Sequence, residues 1–465
     1  MTSNPTNRCF KKYDIRGVFG ENLTTIVAYD IGRALAQTLE ARKIVVGFDC
    51  RLSSPDLSEA LCNGICAQGC DVAHLGLSGT EEVYFATDAL AADGGVQITA
   101  SHNPADQNGF KVIGPQARPL SAEEFTRLKV LASGTFFKNH LPKLGATLEI
   151  STRREYVDRV LAITGFARTT SKKVVVNAGN GVVGPAADAI IAELANRGCT
   201  PEIIKMAWEP DGTFPFGVPN PLLKSNQEIT ANAVKSAGAD FGVAWDADFD
   251  RCFFFDETGK FVSGELAVAL LARRLLSHHK GATAVYDPRA VLCIENSIKK
   301  ANGRGVIAKV GHVHQKRTMR EADAIYGGEL SGHHYFREFM CCDSGMIPWL
   351  VVLRMLIETG KPLSELVDEV SLGFRSSGEL NYQCADSKSL IDKLNEDKSF
   401  SDAGRSWVDG LSLDFKSWRL NVRSSSTENL LRLNIEAAGS EDLLQERIRE
   451  VVALFVSNGA RPHVS

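Results

Sequence analysis

Three aspartates alternate along one short segment, at Asp246, Asp248 and Asp250, and Arg251 follows them directly. Carboxylates this close repel one another unless a cation neutralises them, and a ligand set made of oxygen atoms suits a hard ion such as Mg²⁺. A calcium EF-hand is the competing interpretation, because Glu257 stands at the twelfth position from Asp246. The sixth position, which needs glycine, is occupied by Arg251, and the flanks are strand-like. We therefore predict a divalent-metal site, with a solvated acidic turn as the remaining alternative.

Two further polar segments are ambiguous by themselves. Ser101 lies in the run Thr-Ala-Ser-His-Asn-Pro, where Pro104 limits the backbone, and it could act as a nucleophile or a phosphate carrier. Taken alone, ordinary turn chemistry is the better explanation of that run. Residues 423–427 offer the guanidinium of Arg423 and several hydroxyls to a phosphate oxyanion, but they could also form a solvated β-turn.

A polar loop at residues 327–334 suits a polyol such as a sugar. Glu329 and Ser331 lie between glycines, which let a ligand approach the backbone closely. Upstream, His312 adds a possible contact to a phosphate or a hydroxyl. Two adjacent histidines cannot both face one ligand from an extended backbone, so we expect His334 to be structural.

The elements that must position these loops repeat three times along the chain. Residues 43–49, 172–179 and 282–288 are apolar runs that each end in a polar turn, followed by a helical pattern and then by a polar segment. This alternation is typical of βαβ units, whose ligands gather at the carboxyl ends of the strands. From about Gly373 a β-rich stretch precedes an amphipathic helix. We predict an α/β protein with four domains, at residues 1–150, 151–258, 259–372 and 373–465.

Composition narrows the classes of function. The chain has 465 residues, 44% of them hydrophobic and 23% charged, as in a folded protein, and its net charge of −4 provides no electrostatic footprint for nucleic acid. It contains no segment apolar enough to act as a signal peptide or to span a membrane. Eleven scattered cysteines fit a reducing compartment. We expect a cytoplasmic protein that binds neither nucleic acid nor membrane.

Five sequence motifs, in their order along the chain, resemble those of the α-D-phosphohexomutases, especially their phosphomannomutase/phosphoglucomutase branch. They are YDIRG from residue 13, TASHNP from 99, DADFDR from 246, GELSGHHYF from 328 and RSSSTEN from 423. Each motif is weak alone, but five in order over nearly the whole chain are specific. Flanking runs such as SGTEEVYFAT, from residue 78, are similar to bacterial phosphomannomutases.

The resemblance implies a fold and a reaction. Three related α/β domains with mixed sheets and a C-terminal TATA-box-protein-like α+β domain would surround a central cleft. The enzyme would interconvert hexose 6-phosphate and hexose 1-phosphate, with mannose and also glucose as the sugar. A phosphoserine and a hexose 1,6-bisphosphate would be intermediates, Mg²⁺ the metal and the bisphosphate an activator. Its partners would be small hexose phosphates, and the chain would be a monomer or a weak homo-oligomer.

The resemblance also implies roles for residues of this chain. Ser101, His102, Lys111 and Arg251 would be catalytic, with Lys111 a proton shuttle, and Asp246, Asp248, Asp250 and a phosphoserine oxygen at Ser101 would hold Mg²⁺. Substrate would contact Tyr13, Arg16, Arg289, His312, Glu329, Ser331 and His333. The phosphate that is not reacting would contact Arg423, Ser425, Ser426 and Thr427.

The chain departs from the family pattern at a few positions. Ala247 stands where glycine is usual, and a positive φ there would cost on the order of 1 kcal/mol. Ser426 and Asn429 replace the usual asparagine and proline of the phosphate loop. Leu330 is apolar, which fits the mannose/glucose branch better than a phosphoglucosamine mutase. That mutase, a non-catalytic sugar-phosphate-binding homologue and a plain Mg²⁺-dependent phosphatase are the alternatives.

Overall fold

The computed structural model describes residues 8–12, 14–134, 143–165, 172–425 and 430–463. They form two compact units. The first comprises Met1–Val262 and His333–Leu363, and the second comprises Ser263–Gly332 and Ser364–Ser465. No helix in the described part of the chain is long and apolar enough to cross a membrane.

The elements up to residue 262 alternate between strands and helices. They are β1 (Ile15–Val18), α1 (Thr25–Leu39), β2 (Lys43–Phe48), α2 (Ser54–Cys66), β3 (Asp71–Leu77), α3 (Thr80–Ala89), β4 (Gly94–Ile98), β5 (Gln107–Ile113), α4 (Ala122–Ala132), β6 (Thr147–Glu149), α5 (Arg153–Thr164), β7 (Lys173–Asn177), α6 (Val183–Asn196), β8 (Glu202–Met206), α7 (Lys224–Ala237), β9 (Phe241–Trp245), β10 (Cys252–Asp256) and β11 (Phe261–Val262).

The alternation continues to about residue 371 and then gives way to antiparallel strands. The elements are α8 (Gly264–Ser277), β12 (Thr283–Tyr286), α9 (Leu292–Lys300), β13 (Arg304–Ile307), α10 (His312–Glu321), β14 (Tyr326–Gly328), β15 (His334–Phe336), β16 (Cys342–Asp343), α11 (Met346–Thr359), α12 (Leu363–Ser371), β17 (Phe374–Gln383), α13 (Ser387–Glu396), β18 (Gly404–Ser406), β19 (Leu411–Asp414), β20 (Trp418–Ser424), β21 (Leu430–Ala438), α14 (Glu441–Ser457) and β22 (Arg461–Pro462).

The first unit contains two mixed sheets. One has the strand order β1-β5-β4-β2-β3-β6, and the other has the order β11-β10-β9-β7-β8. The central strands β2 and β7 are parallel to both neighbours, whereas β4 with β5 and β9 with β10 are antiparallel. Because these central strands are buried on both faces, their sequences are continuous apolar runs rather than alternating ones. The predicted α/β class with mixed sheets is confirmed.

The helix α1 shows how sequence pattern produces these layers. Thr24 caps its first turn, since its Oγ1 accepts a hydrogen bond of 3.3 Å from the backbone N–H of Val27. Val27, Ile31 and Leu35 recur at helical spacing and are buried in the core of the first sheet. The helix therefore presents one apolar stripe, which removes it from water by packing against α2 and α4.

In the second unit, β12 is parallel to both β13 and β14, and α8 and α9 pack together beside these strands. The C-terminal sheet has the order β18-β19-β20-β21-β17-β22, and its pairs are antiparallel. Its helices α13 and α14 cover an apolar core that includes Leu433, Ile435 and Phe455.

A buried carboxylate joins three elements of the first unit. Glu81, in the first turn of α3, accepts a hydrogen bond from the hydroxyl of Tyr156 on α5. Ser344 and the backbone of Met346, where α11 begins, also favour the charged form of this carboxyl. Burial outweighs them and Tyr156 and raises the pKa of Glu81 to about 8.

This carboxyl makes the stability of the protein depend on pH. The folded pKa lies above the unfolded one, so folding takes up a proton between pH 4.5 and about 8. The contribution of Glu81 is fully present below pH 4.5 and is lost as the pH rises to about 8. In Glu81→Gln the free energy of unfolding should fall less steeply with rising pH than in the unmodified protein. Within this window the two slopes should differ by up to about 1.4 kcal/mol per pH unit. Urea unfolding at pH 5, 6.5 and 8 measures the two slopes.

The exposed Glu59 on α2 provides the control, and Glu59→Gln should retain the slope of the unmodified protein. Equal slopes in the unmodified protein and in Glu81→Gln would show that Glu81 is ionised in the folded state throughout this range.

Candidate active site

The acidic segment is the turn between β9 and β10, where Trp245 pairs with Cys252 across the ladder. Asp246, Asp248 and Asp250 are buried there, and one carboxylate oxygen from each lies within 4.8 Å of the others. An all-oxygen donor set of this size fits a hard divalent cation. The structure thus brings together the three aspartates that the sequence singled out.

The turn is strained at a different residue from the one expected. Ala247 does not have a positive φ, so the substitution for glycine carries no such cost. Phe249 instead has φ of 46°. Its ring lies so close to Gly79 that a Cβ added to that glycine would be 2.0 Å from the ring. The conformation of the acidic turn and that of the start of α3 therefore depend on each other.

Ser101 follows β4 and faces the acidic turn. It is buried, and its backbone has φ of 52°, an uncommon conformation for serine that is often found at functional sites. Its Oγ donates a 2.7 Å hydrogen bond to Oδ2 of Asp246 and lies 3.1 Å from Nδ1 of His102. The serine hydroxyl is therefore placed directly beside the carboxylate triplet.

Lys111 extends from β5 into the same cluster. Its Nζ donates to Oδ2 of Asp248 at 2.6 Å and to Oδ2 of Asp250. Burial lowers the pKa of Lys111, but the two aspartates outweigh burial and raise it above the usual lysine value. The ammonium group is thus held charged, and it neutralises part of the acidic turn.

Arg251, burial and the neighbouring aspartates shape the protonation of the residues around the serine. Arg251 lies 3.5 Å from Asp246 and donates from Nε to Nε2 of His333 at 3.3 Å. Arg251 and burial together hold the pKa of His102 well below its usual value, so His102 is neutral. Burial and the neighbouring aspartates raise the pKa of Asp246, which the Ser101 hydroxyl faces.

Arg16 and His333 also reach this cluster. Arg16 donates to the backbone carbonyl of Thr99, at the start of the serine turn. Nε2 of His333 lies 3.6 Å from Oδ1 of Asp250 and 3.8 Å from Oδ2 of Asp343. His334 is fully buried, and burial lowers its pKa to about 3, so that it stays neutral.

The second unit holds a separate set of charged side chains. Arg289, beyond β12, makes a bidentate ion pair with Asp287, with N···O distances of 2.9 and 2.7 Å. Glu329 is buried and accepts a 2.7 Å hydrogen bond from the backbone N–H of Gly311, directly before His312 opens α10. Asp287 and, to a smaller extent, Glu329 favour the charged form of Arg289 and raise its pKa.

Arginines from the C-terminal domain lie close to this set. Nη2 of Arg423 is 2.6 Å from Glu379, and Arg432 is 3.3 Å from the other oxygen of the same carboxylate. Burial and the charge of Arg289 lower the pKa of Arg423. Arg423 and Arg432 thus share the carboxylate of Glu379, and Arg289 is close enough for its charge to act on Arg423.

The remaining predicted contacts are less informative. Ser331 is partly buried after Leu330, whose N–H donates to Asp287 at 3.3 Å. Ser425 follows β20, and its N–H donates a 2.8 Å hydrogen bond to the carbonyl of Leu430. Three predicted site residues lie outside the described residues, together with the departure at Asn429: Tyr13, Ser426 and Thr427.

Comparison with known proteins gives a consistent result along the chain. Models of the phosphoglucomutase/phosphomannomutase α/β/α domains I, II and III match residues 7–134, 154–259 and 263–372, and the model of the C-terminal domain matches residues 379–454. The chain belongs to the phosphoglucomutase/phosphomannomutase family.

Individual relatives agree with this family assignment. A phosphomannomutase of Salmonella montevideo is 45% identical over 451 residues, covering 97% of this chain and 99% of the relative. Phosphohexose mutases of Xanthomonas campestris pv. campestris strain B100 are 44% identical over 448 residues, covering 96% and 98%. The crystal structure of a family protein from Burkholderia thailandensis superposes with a TM-score of 0.88 at 29% identity, covering 99% of this chain and 100% of that one. This member of the family is a phosphohexomutase, an enzyme of the isomerase class.

Sequence reasoning missed one residue that shapes the serine turn of this mutase. The fully buried Arg51 donates to the backbone carbonyls of Ser101, Asn103, Pro104 and Gln107, at 2.6 to 2.9 Å. Its Nε is 3.2 Å from Asp49. Asp49 follows β2 directly and Arg51 comes two residues later, at the carboxyl end of a parallel strand, and that position was the available signal.

Three charged residues of the second unit were also missed. Asp287 follows β12 directly, again at the carboxyl end of a parallel strand. Glu379 and Arg432 lie on the neighbouring strands β17 and β21, and nothing in their local sequence distinguishes them from ordinary exposed strand residues. Their association with Arg423 depends on strand pairing in the C-terminal sheet.

Proposed function

We propose that this mutase interconverts the 6- and 1-phosphates of mannose and of glucose through a phosphoserine at Ser101 and a hexose 1,6-bisphosphate intermediate. The observation that carries the proposal is the 2.7 Å contact between the Ser101 hydroxyl and Asp246 within a buried carboxylate triplet. A hydroxyl in that position is suited to carry a phosphoryl group beside a cation. The relatives named phosphomannomutase and phosphohexose mutases support the choice of substrates.

The metal proposed for the acidic turn is Mg²⁺. Asp246, Asp248 and Asp250 would hold it together with an oxygen of the phosphoserine at Ser101. Oδ1 of Asp248 is buried and has no hydrogen-bond partner among the described residues, so it is available as a ligand. Bound there, the cation would neutralise charge on the transferring phosphoryl group.

Two neighbouring groups are placed to move the protons of the transfer. Nδ1 of His102 lies 3.1 Å from Oγ of Ser101, and we assign to it the proton of the attacking sugar hydroxyl. Lys111, which is bonded to Asp248 and Asp250 in the same cluster, would protonate the departing serine oxygen. The phosphorus–oxygen bond to Ser101 breaks as the bond to the sugar oxygen forms. Arg251 would stabilise the charge of the phosphoryl group in transit.

The second half of the reaction returns the other phosphate to Ser101. The bisphosphate must therefore turn over, which requires sugar and phosphate contacts away from the serine. We assign sugar hydroxyls to Glu329 and Ser331, with His312, His333 and Arg289 as further substrate contacts. Arg423, with Ser425, would bind the phosphate that is not reacting, because a guanidinium offers a fork of N–H donors that matches a phosphate oxyanion.

A coupled assay tests this reaction directly. Mannose 1-phosphate and glucose 1-phosphate should both be converted, within roughly a hundredfold of each other, which is about 2.7 kcal/mol. Enzyme that is not phosphorylated at Ser101 should show a lag before steady-state turnover. Added glucose 1,6-bisphosphate should shorten this lag, because it phosphorylates Ser101. Glucosamine 1-phosphate is the comparison substrate. Conversion of glucosamine 1-phosphate alone would overturn the proposed sugar preference.

A variant of the sugar site distinguishes shared from selective recognition. Mannose and glucose differ only at the 2-hydroxyl, so an anchor on other hydroxyls serves both. Glu329→Ala should lower kcat/KM for both sugars by a similar factor, roughly 10–100-fold. The loss of one hydrogen-bond partner of a buried group costs about 1–3 kcal/mol, which corresponds to this range. Steady-state kinetics with each sugar phosphate measures the two ratios.

The exposed Glu321 at the end of α10 provides the matched control, and Glu321→Ala should leave both ratios unchanged. A Glu329→Ala enzyme that lost one sugar and kept the other at full efficiency would mean that Glu329 reads the 2-position.

A further inference from the structure

The start of α3 makes two direct bonds to the central aspartate of the acidic turn. The backbone N–H of Thr80 donates to the carbonyl oxygen of Asp248 at 3.1 Å, and the Thr80 hydroxyl donates to Oδ2 of the same residue. Both residues are fully buried, although 168 positions separate them in sequence. Thr80 thus holds both the backbone and the side chain of Asp248.

These bonds engage one side of the carboxylate. Oδ2 of Asp248 accepts from Thr80 and, at 2.6 Å, from Lys111. Oδ1 is buried without a hydrogen-bond partner in the described part of the chain. A carboxylate fixed through one oxygen presents the other in a set direction, and such supporting hydrogen bonds orient the ligands of a metal.

Thr80 is itself held firmly by its neighbours in sequence. The Glu82 carboxylate accepts a 3.0 Å hydrogen bond from the N–H of Gly79 and pairs with Arg153 at 2.8 Å. Gly79 packs against the ring of Phe249, the residue that follows Asp248 in the chain. The N-terminus of α3 therefore contacts the acidic turn at both Asp248 and Phe249 and supports its conformation.

We propose that Thr80 is a positioning residue for the metal centre, whose hydroxyl orients Asp248 so that Oδ1 faces the cation. This rests on the proposed function, which places Mg²⁺ at the acidic turn. Thr80 would act through Asp248, to which both its N–H and its hydroxyl are bonded. Its loss should weaken Mg²⁺ binding, while kcat at saturating Mg²⁺ changes much less.

Isothermal titration calorimetry of the metal-free full-length protein with Mg²⁺ tests the proposal without relying on turnover. Thr80→Val, which keeps the shape and removes the hydroxyl, should raise the Kd for Mg²⁺ by about 10–100-fold. Thr80→Ser retains the hydroxyl and should bind within about threefold of the unmodified protein. Thr80→Ala serves as a second hydroxyl-free variant if Thr80→Val does not fold.

Thr87 on the same helix is the matched control. It is also fully buried, but its hydroxyl donates to the carbonyl of Val83 within α3, so Thr87→Val should leave the Kd for Mg²⁺ unchanged. A folded Thr80→Val or Thr80→Ala protein with an unaltered Kd would overturn the proposal. An unmodified protein that bound no Mg²⁺ would instead overturn the metal assignment itself, and the two failures are therefore distinguishable.

Discussion

Replacing Ser101 by alanine is expected to abolish turnover, with a loss in kcat of about 10⁴-fold or more, because a covalent phosphoryl carrier cannot be replaced by its neighbours. The intact mass of the unmodified enzyme should show a fraction that carries one phosphoryl group, and the variant should lack it. Mass spectrometry and steady-state kinetics on the same preparations measure both effects.

Backbone strain must be separated from the loss of the hydroxyl. Ser101 has φ of 52°, which glycine adopts without cost, so Ser101→Gly removes the hydroxyl and relieves the strain. Both variants should be inactive if the hydroxyl is what matters. Ser457→Ala, on the exposed surface of α14, should retain the phosphorylated fraction and full activity. An active, unphosphorylated Ser101→Ala enzyme would rule out the phosphoserine mechanism.

Removal of the divalent cation is expected to have the second large effect. A chelator should abolish activity and Mg²⁺ should restore it, because phosphoryl transfer depends on electrostatic stabilisation rather than on protein nucleophiles alone. Asp248→Asn should weaken Mg²⁺ binding by more than about 10-fold, since the variant loses an anionic oxygen ligand. Calorimetry gives the affinity, and thermal unfolding shows that the variant is folded.

The Asp248→Asn variant should remain folded because the carboxylates of the metal-free turn repel one another. That repulsion, together with burial, raises the pKa of Asp246, and removing one charge relieves it. Asp392→Asn, exposed on α13, is the control and should bind Mg²⁺ normally. Normal turnover by an enzyme shown by elemental analysis to contain no metal would exclude the proposed role of the cation.

The sequence by itself determined the chemistry of the loops and the class of the fold. Alternating aspartates between two strand-like runs repel one another unless a cation neutralises them, so the composition of residues 246–251 predicted a cation at this acidic turn. The repeated change from apolar strand to amphipathic helix likewise indicated an α/β fold, since each period buries one face in a defined layer. Both conclusions depend on short-range patterns.

Tertiary structure decided which distant groups meet at these loops. Lys111 contacts Asp248 and Asp250, and Thr80 contacts Asp248. These contacts form because packing within the first unit brings β5 and α3 to the acidic turn. Packing within the first unit also allows Arg51 to donate a hydrogen bond to the carbonyl of Ser101. Such contacts join residues 50 to 168 positions apart, and they depend on strand order and on side-chain packing, which no local pattern encodes. The backbone of the turn behaves in the same way, because packing against Gly79 accommodates the left-handed conformation of Phe249.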